Sequence, residues 1–392
     1  MNFCAIICEF NPLTNGHKHL IEQAKKQTGL PILAIMSGDF VQRGETAILD
    51  KYTRSEIAIE CGCDIVLELP TIFAISPAEN FAFGAIKCLK ELDCISHLAF
   101  GVENSNLETI ESLARFMIDK KSVIDAEIQK QKDNKHSHNR IMQEVIIKLT
   151  NNRKYAQILK GANNILALEY IKASIKQGFE AKFVAIQRTD NGHNSKQSNS
   201  QFLSATAIRE LAIAKKTEQI KNFVPAKTYK KLKQQIFDYD AFSKSILAHL
   251  RNQNAERIKQ TMDVGFEGLE NKILSESQKQ TSFDATIKGI TSKRYRSSRI
   301  KRICLASYLG ITKNLYNTII DAPATLKVLA IKKENKAMLK TLSLENAKLA
   351  TTSKDYSAPH PSLSLDLYAS NAYNAFDGKP HNHDIKTGIL FI

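Results

Sequence analysis

The 392-residue chain has no apolar run long enough to span a bilayer, which sets aside a helical membrane protein. It has no basic stretch ahead of an apolar one at its start, so no secretory signal is expected. No two cysteines stand in a C-x-x-C pair, which leaves a zinc ribbon unsupported. The seven cysteines (4, 8, 61, 63, 88, 94 and 304) are odd in number, and several sit in apolar runs. Reduced core thiols in the cytoplasm are therefore expected. His136-x-His138 and His381-x-His383 lack cysteines at a fitting spacing and lie in polar stretches, so no metal site is assigned to them. No internal repeat is present.

What the chain does have is an ordinary globular balance, 43% hydrophobic and 24% charged. Its length is enough for a sizeable core in two or three domains. The net charge of +15 is unevenly spread. Residues 1–100 hold 8 Lys/Arg against 12 Asp/Glu, whereas residues 291–340 hold 12 against 2. That asymmetry suggests a polyanion docks on the C-terminal part. The alternative is a solvated, lysine-rich surface.

The first hundred residues alternate strand and helix signals. Residues 3–8 form an apolar run without alternation, the pattern of a strand covered on both faces. Helical spacing follows over 17–27, then an apolar run at 31–36, a helix at 53–61, a strand at 64–69, a helix at 80–92 and a strand at 97–101. A polar helical stretch covers 106–152, a helix 164–176 and a fifth strand 180–187. Residues 190–201 are Ser/Asn/Gly-rich and read as a mobile loop ahead of a short helix capped by Ser204. This order predicts a doubly wound parallel α/β sheet. Beyond Pro225 the strands are expected to stop, leaving a mostly helical, basic second domain over 226–392 with a small mixed tail.

The most specific local feature is Glu9-Phe10-Asn11-Pro12-Leu13-Thr14-Asn15-Gly16-His17. It follows the first strand and opens a helix, the place where a doubly wound sheet holds its ligand. The helix start turns free N–H groups and a positive dipole end toward the loop. Gly16 lets an anion approach the backbone, and Thr14 and His17 flank it as donors to one phosphate. A glycine turn with a capping histidine is the plainer alternative. A lone x-x-G-H would favour it, but the flanking strand and helix favour phosphate.

These residues resemble the T/H-x-G-H signature of the HIGH-type nucleotidyltransferase superfamily. The likeness extends through Met36-Ser37-Gly38-Asp39-Phe40-Val41-Gln42-Arg43-Gly44-Glu45 and Asp64-Ile65-Val66-Leu67-Glu68-Leu69-Pro70. Together the three runs are similar to the tRNA(Met) cytidine acetate ligase family, nearly chain-wide and densest before residue 105. The resemblance implies ATP, acetate activated as acetyl-adenylate, and acetyl transfer to N4 of the wobble cytidine of elongator tRNA(Met). It also implies an ATP site over Ile7, Cys8, Glu9, Phe10, Asn11, Pro12, Leu13, Thr14, Asn15, Gly16, His17, Lys18, His19 and Leu20, with Thr14 and His17 catalytic.

Further residues follow from the same likeness. Gly101 matches a glycine beside the nucleotide. Asn164, in Asn163-Asn164-Ile165-Leu166, matches a nucleotide contact, although either asparagine could equally cap a helix; Ala162 stands where the family usually has proline. Arg188 matches an arginine at the ATP site. Ser204 and Arg209, in Ser204-Ala205-Thr206-Ala207-Ile208-Arg209, match the second signature, a helix start that closes over the β- and γ-phosphates. Arg43 borders the site and could serve the phosphates or the tRNA. The basic run Lys293-Arg294-Tyr295-Arg296-Ser297-Ser298-Arg299-Ile300-Lys301-Arg302 matches a tRNA-contacting pattern, with Lys293, Arg294, Arg296, Arg299 and Arg302 outward and Tyr295 placed to stack on a base. Mg²⁺ on the leaving pyrophosphate is implied, and no obligate protein partner is. Two rivals remain open: a nucleotidyltransferase that adenylylates a phosphorylated cofactor precursor, and a catalytically silent RNA-binding protein.

Overall fold

Phe3–Cys8 (β1) buries all six residues, as its unbroken apolar character requires. The computed structural model describes residues 1–103, 106–131, 138–188, 202–265, 268–293, 295–342, 348–356 and 360–392. The expected mobile loop at 190–201 lies outside them. Ile32–Ser37 (β2) and Ile65–Leu69 (β3) are as fully buried as β1. Ile95–Val102 (β4) and Lys182–Gln187 (β5) complete a parallel array in the order β3-β2-β1-β4-β5. The intervening helices include Asn15–Thr28 (α1), Lys51–Glu60 (α2), Ala78–Lys90 (α3) and Ala162–Gln177 (α4). This is the doubly wound α/β class expected. The winding reverses between β1 and β4, and that switch point opens a crevice beyond the strands' carboxyl ends.

The expectation that strands end near residue 225 is corrected. Helices fill most of 226–321, among them Ser297–Tyr308 (α6), which follows Ala205–Ile213 (α5). Then Thr325–Ile331 (β6) returns to the first sheet and lies antiparallel beside β3, with all seven residues buried. Lys348–Ala350 (β7) and Leu390–Phe391 (β8) pair in parallel with the far edge of β6. Lys327 interrupts the apolar pattern of β6 and hides it in the sequence.

Lys327 is buried because it has partners. Its ammonium donates to the Tyr52 hydroxyl at 2.7 Å and to the Asp384 carboxylate. Lys51 lies 2.8 Å from both Glu68 oxygens and 3.0 Å from Asp384. The cluster ties α2, β3 and β6 to the tail helix His383–Thr387 (α8), which follows Pro361–Asn374 (α7). Burial alone would raise the pKa of Asp384, but the Lys51 and Lys327 ammoniums outweigh it and hold the carboxyl well below its usual range.

Candidate active site

The crevice at the switch point is a cleft of about 390 Å³. It is lined by Ile7, Cys8, Glu9, Phe10, Asn11, Thr14, Gly16, His17, His19 and Leu20 from β1, its loop and α1. Gly101, Asn163, Arg188, Ser204 and Arg209 complete it from the other side, with Gln42, Arg43 and Glu45 at the rim. Most of the expected site residues thus share one cavity. Pro12, Leu13, Asn15 and Lys18 are placed elsewhere. Pro12 and Leu13 are buried beneath the loop, and the Leu13 carbonyl accepts from the Thr228 hydroxyl at 3.1 Å. The Asn15 amide and side chain bind the carbonyls of Phe223 and Asn222. Lys18 is exposed and pairs with Glu22.

The loop is shaped by α1's own capping chemistry. Thr14 is the N-cap, and its hydroxyl accepts from the His17 amide while its backbone N–H donates to His17 Nδ1 at 3.1 Å. A ring nitrogen that accepts an N–H carries no proton in neutral imidazole. The proton therefore sits on Nε2, and the ring offers a donor on its other side. Phe10 holds the ring edge-on, with centroids 5.4 Å apart. Beneath the loop Arg54, with no exposed surface, gathers backbone carbonyls of Glu9 (2.7 Å), Ser37 (3.0 Å), Leu49 (2.9 Å) and Gly38. It welds the ends of β1 and β2 into one frame. Arg54 was missed from sequence, although it stands one helical turn before Ile57, on the face of α2 that the apolar spacing marks as buried.

Three arginines bring positive charge to the cleft from different elements. Arg188, at the end of β5, crosses Gly101: a Cβ there would meet its aliphatic stem at 3.3 Å. Its guanidinium reaches the Asn163 side-chain oxygen at 3.4 Å and lies near Gly16. Arg209, on α5, donates to the Asn11 carbonyl at 2.7 Å and faces Glu45 at 3.7 Å. Ser204 caps α5 by accepting from Ala207 N–H. Arg43 is exposed at the rim. Around Gly16 there is ordinary space, since a Cβ would meet nothing closer than 3.6 Å. Protein packing does not demand glycine there.

The two asparagines differ. Asn163 lines the cleft. Asn164 is buried, and its amide accepts from Glu103 N–H at 2.7 Å and donates to the Glu103 carbonyl at 2.9 Å. Of the two, it is Asn163 that faces the cleft, while Asn164 fixes the end of β4 from behind.

The basic run is less exposed than its sequence suggests. Lys293 and Arg296 face solvent, and Arg294 lies outside the described residues. Arg299 and Arg302 turn inward to Asp263, and Arg302 also reaches the Gln42 carbonyl at 3.4 Å. Tyr295 is buried under Lys272, 5.8 Å from its ring centroid, so the expected stacking on a base is corrected. The hairpin at 40–46 packs against α6, its Gly44 turn resting on the backbone of Lys301 and Arg302 so closely that a Cβ there would collide. Lys301 seals that joint with a 2.6 Å bond to Glu45. Glu45 therefore stands between the cleft's Arg209 and the basic helix α6.

The family described as HIGH Nucleotidyl Transferase matches residues 1–387. A tRNA(Met) cytidine acetate ligase of Thermoanaerobacter sp. (strain X514) is 31% identical over 385 residues, covering 95% of each chain. The protein of the same name from Clostridium novyi (strain NT) is 32% identical over 412 aligned residues, covering all of both. The crystal structure of Thermotoga maritima TmcAL bound with alpha-thio ATP matches all of both chains with a TM-score of 0.91 at 24% identity, a likeness of fold.

Proposed function

This chain belongs to the tRNA(Met) cytidine acetate ligase family within the HIGH nucleotidyl transferases, and we propose that the switch-point cleft is where it binds ATP and joins acetate to it. The protein is an ATP-dependent ligase of tRNA modification. The observation that carries the site assignment is the Thr14–His17 capping pair, which aims an imidazole N–H into a cavity crossed by Arg188 and Arg209.

In this reading ATP lies on the loop 7–20, with Gly101 and Asn163 beside it. An acetate oxygen attacks the α-phosphorus and pyrophosphate leaves. His17 Nε2–H and the Gly16 N–H, at the positive end of α1, meet the charge that grows on the α-phosphate oxygens. Arg188 and Arg209 hold the β- and γ-phosphates, and Arg43 guides them or the tRNA at the rim. Among the described residues no group of three possible metal ligands is present. A Mg²⁺ carried in on the triphosphate would offset the pyrophosphate's charge. The cytidine N4 then attacks the acetyl carbonyl of acetyl-adenylate. Residues 1–225, with β6, β7 and β8 added to their sheet, form the nucleotide side and the helices of 226–321 the tRNA side, with Lys293 and Arg296 as the outward cations that meet the elongator tRNA(Met). The reading implies a cytoplasmic protein. Incubation with ATP, labelled acetate and unmodified elongator tRNA(Met) tests it. N4-acetylcytidine at the wobble position supports the reading, and tRNA left unlabelled under conditions where ATP binds overturns it.

A further inference from the structure

The cleft holds two polar groups to which the adenylation step above assigns no role. Glu9 accepts the Gln42 N–H on one carboxylate oxygen at 2.7 Å. Among the described residues its other oxygen takes no hydrogen bond, and no cation pairs with it. Tyr170, on α4, is 4% exposed, lines the same cleft, and its hydroxyl makes no hydrogen bond to a described residue. Val41, Ala78, Phe81, Phe100 and Leu166 line the same cleft, with the Phe100 ring centroid 6.2 Å from that of Tyr170.

A carboxylate in a cleft built for a triphosphate is repelled by that ligand, so its use lies with a group that donates. An exocyclic cytosine amine is such a donor, and carboxylates accept from it. A base lifted out of its stack also needs an apolar wall to lie against. Building on the ligase reading above, we propose that Glu9 is the catalytic residue of acetyl transfer, receiving the acceptor N4 amine and taking its proton. N4 attacks the acetyl carbon of acetyl-adenylate and the N–C bond forms. The bond from that carbon to the AMP oxygen breaks, and AMP leaves with the electron pair. The N4 proton passes to the Glu9 carboxylate and on to water. Tyr170 steadies the acceptor by a hydrogen bond from its hydroxyl.

The surroundings suit a base. Burial raises the pKa of Glu9, and the Gln42 amide with Arg209, Arg43 and Arg54 offsets this only in part. Tyr170 and Cys8 are neutral there, their own pKa values raised chiefly by burial. The groups facing Glu9 are thus Arg43 on the hairpin, Arg54 on α2, Arg209 on α5, Cys8 on β1 and Tyr170 on α4.

The test separates the two half-reactions. Acetate-dependent exchange of labelled pyrophosphate into ATP, without tRNA, reads adenylation. Transfer is read by mixing enzyme with synthetic acetyl-adenylate and elongator tRNA(Met) and counting N4-acetylcytidine. Glu9→Gln is expected to slow transfer by about 100-fold or more beyond any loss in exchange that its place on the ATP loop brings. It should also abolish the acid limb of the transfer pH profile. Glu9→Asp, which keeps a carboxylate, retains that limb and part of the rate. Equal loss in both half-reactions, or an unchanged transfer pH profile in Glu9→Gln, overturns the assignment. A parent protein that transfers from synthetic acetyl-adenylate yet shows no exchange would count against the ATP reading of the cleft and leave the role of Glu9 standing.

Discussion

The cleft and the basic helix both draw on clusters of cations, and they use them differently. Arg188, Arg209 and Arg43 come from three separate elements far apart in sequence and meet at one cavity. The cations of residues 293–302 come from one short run, and three of the five described, Arg299, Lys301 and Arg302, turn to Asp263, Gln42 and Glu45. A dense run of charge in sequence therefore overstates an interface, because a helix one face of which is packed must direct some of its charges inward. Scattered single arginines understate a site, because only the fold shows that they converge. The buried Lys51–Glu68–Asp384–Lys327 cluster is the extreme of the inward case.

That contrast can be broken at several points. The largest effect is expected inside the fold. Lys51→Met leaves Glu68 and Asp384 buried without their shared cation and should cost about 3–5 kcal/mol of stability by denaturant unfolding. A change below 1 kcal/mol would show that the cluster is not what joins the tail to the sheet. The cluster also gives a sign to pH dependence. Asp384 is held ionised well below its ordinary pKa, so its stabilising contribution is complete above about pH 4, the unfolded value, and fades as pH falls further. An acid titration of the melting temperature reads that loss, and Asp384→Asn should flatten it.

Next is chemistry at the cleft. His17→Ala should lower acetate-dependent pyrophosphate exchange by about 10²–10³-fold, or roughly 3–4 kcal/mol, while leaving tRNA affinity within about twofold. Coupled loss of tRNA binding would mean that cleft and helix are not separate charge systems. Arg302→Ala, which removes a buried bond to Asp263, should cost about 1–3 kcal/mol of stability. Gly16→Ala fits the space around α1's start, so folding should hold while ATP affinity falls about tenfold, or roughly 1.4 kcal/mol. Smallest is Arg296→Ala: no change in melting temperature, a few-fold loss of tRNA affinity, and a salt slope shallower by about one unit. If Arg296→Ala proves as destabilising as Arg302→Ala, the division into outward and inward cations fails.

Much of the fold was legible because its signals were local. The apolar runs of β1, β2 and β3 carry no alternation, and each lies within a few residues of its expected bounds. The loop at Thr14–His17 was legible from its place between strand and helix, and the capping histidine, set down there only as the plainer alternative, is present as well. What was hidden depended on distant partners. Lys327 masked β6 because nothing in the local pattern shows that Asp384 and Tyr52 wait for it. Tyr295 looked like a stacking platform until the helices around it closed over its ring. Asn163 and Asn164 are neighbours of one type that both bind Glu103, the first through its carboxylate and the second through its backbone, and only the fold shows that the first lines the cleft.

The most direct measurement is the exchange of labelled pyrophosphate into ATP by the purified protein with acetate and without tRNA. Radiolabel should enter ATP only when acetate is present and should be nearly lost in His17→Ala. Exchange that ignores acetate, or that persists at the parental rate without the imidazole, would contradict adenylate formation at the β1–α1 loop.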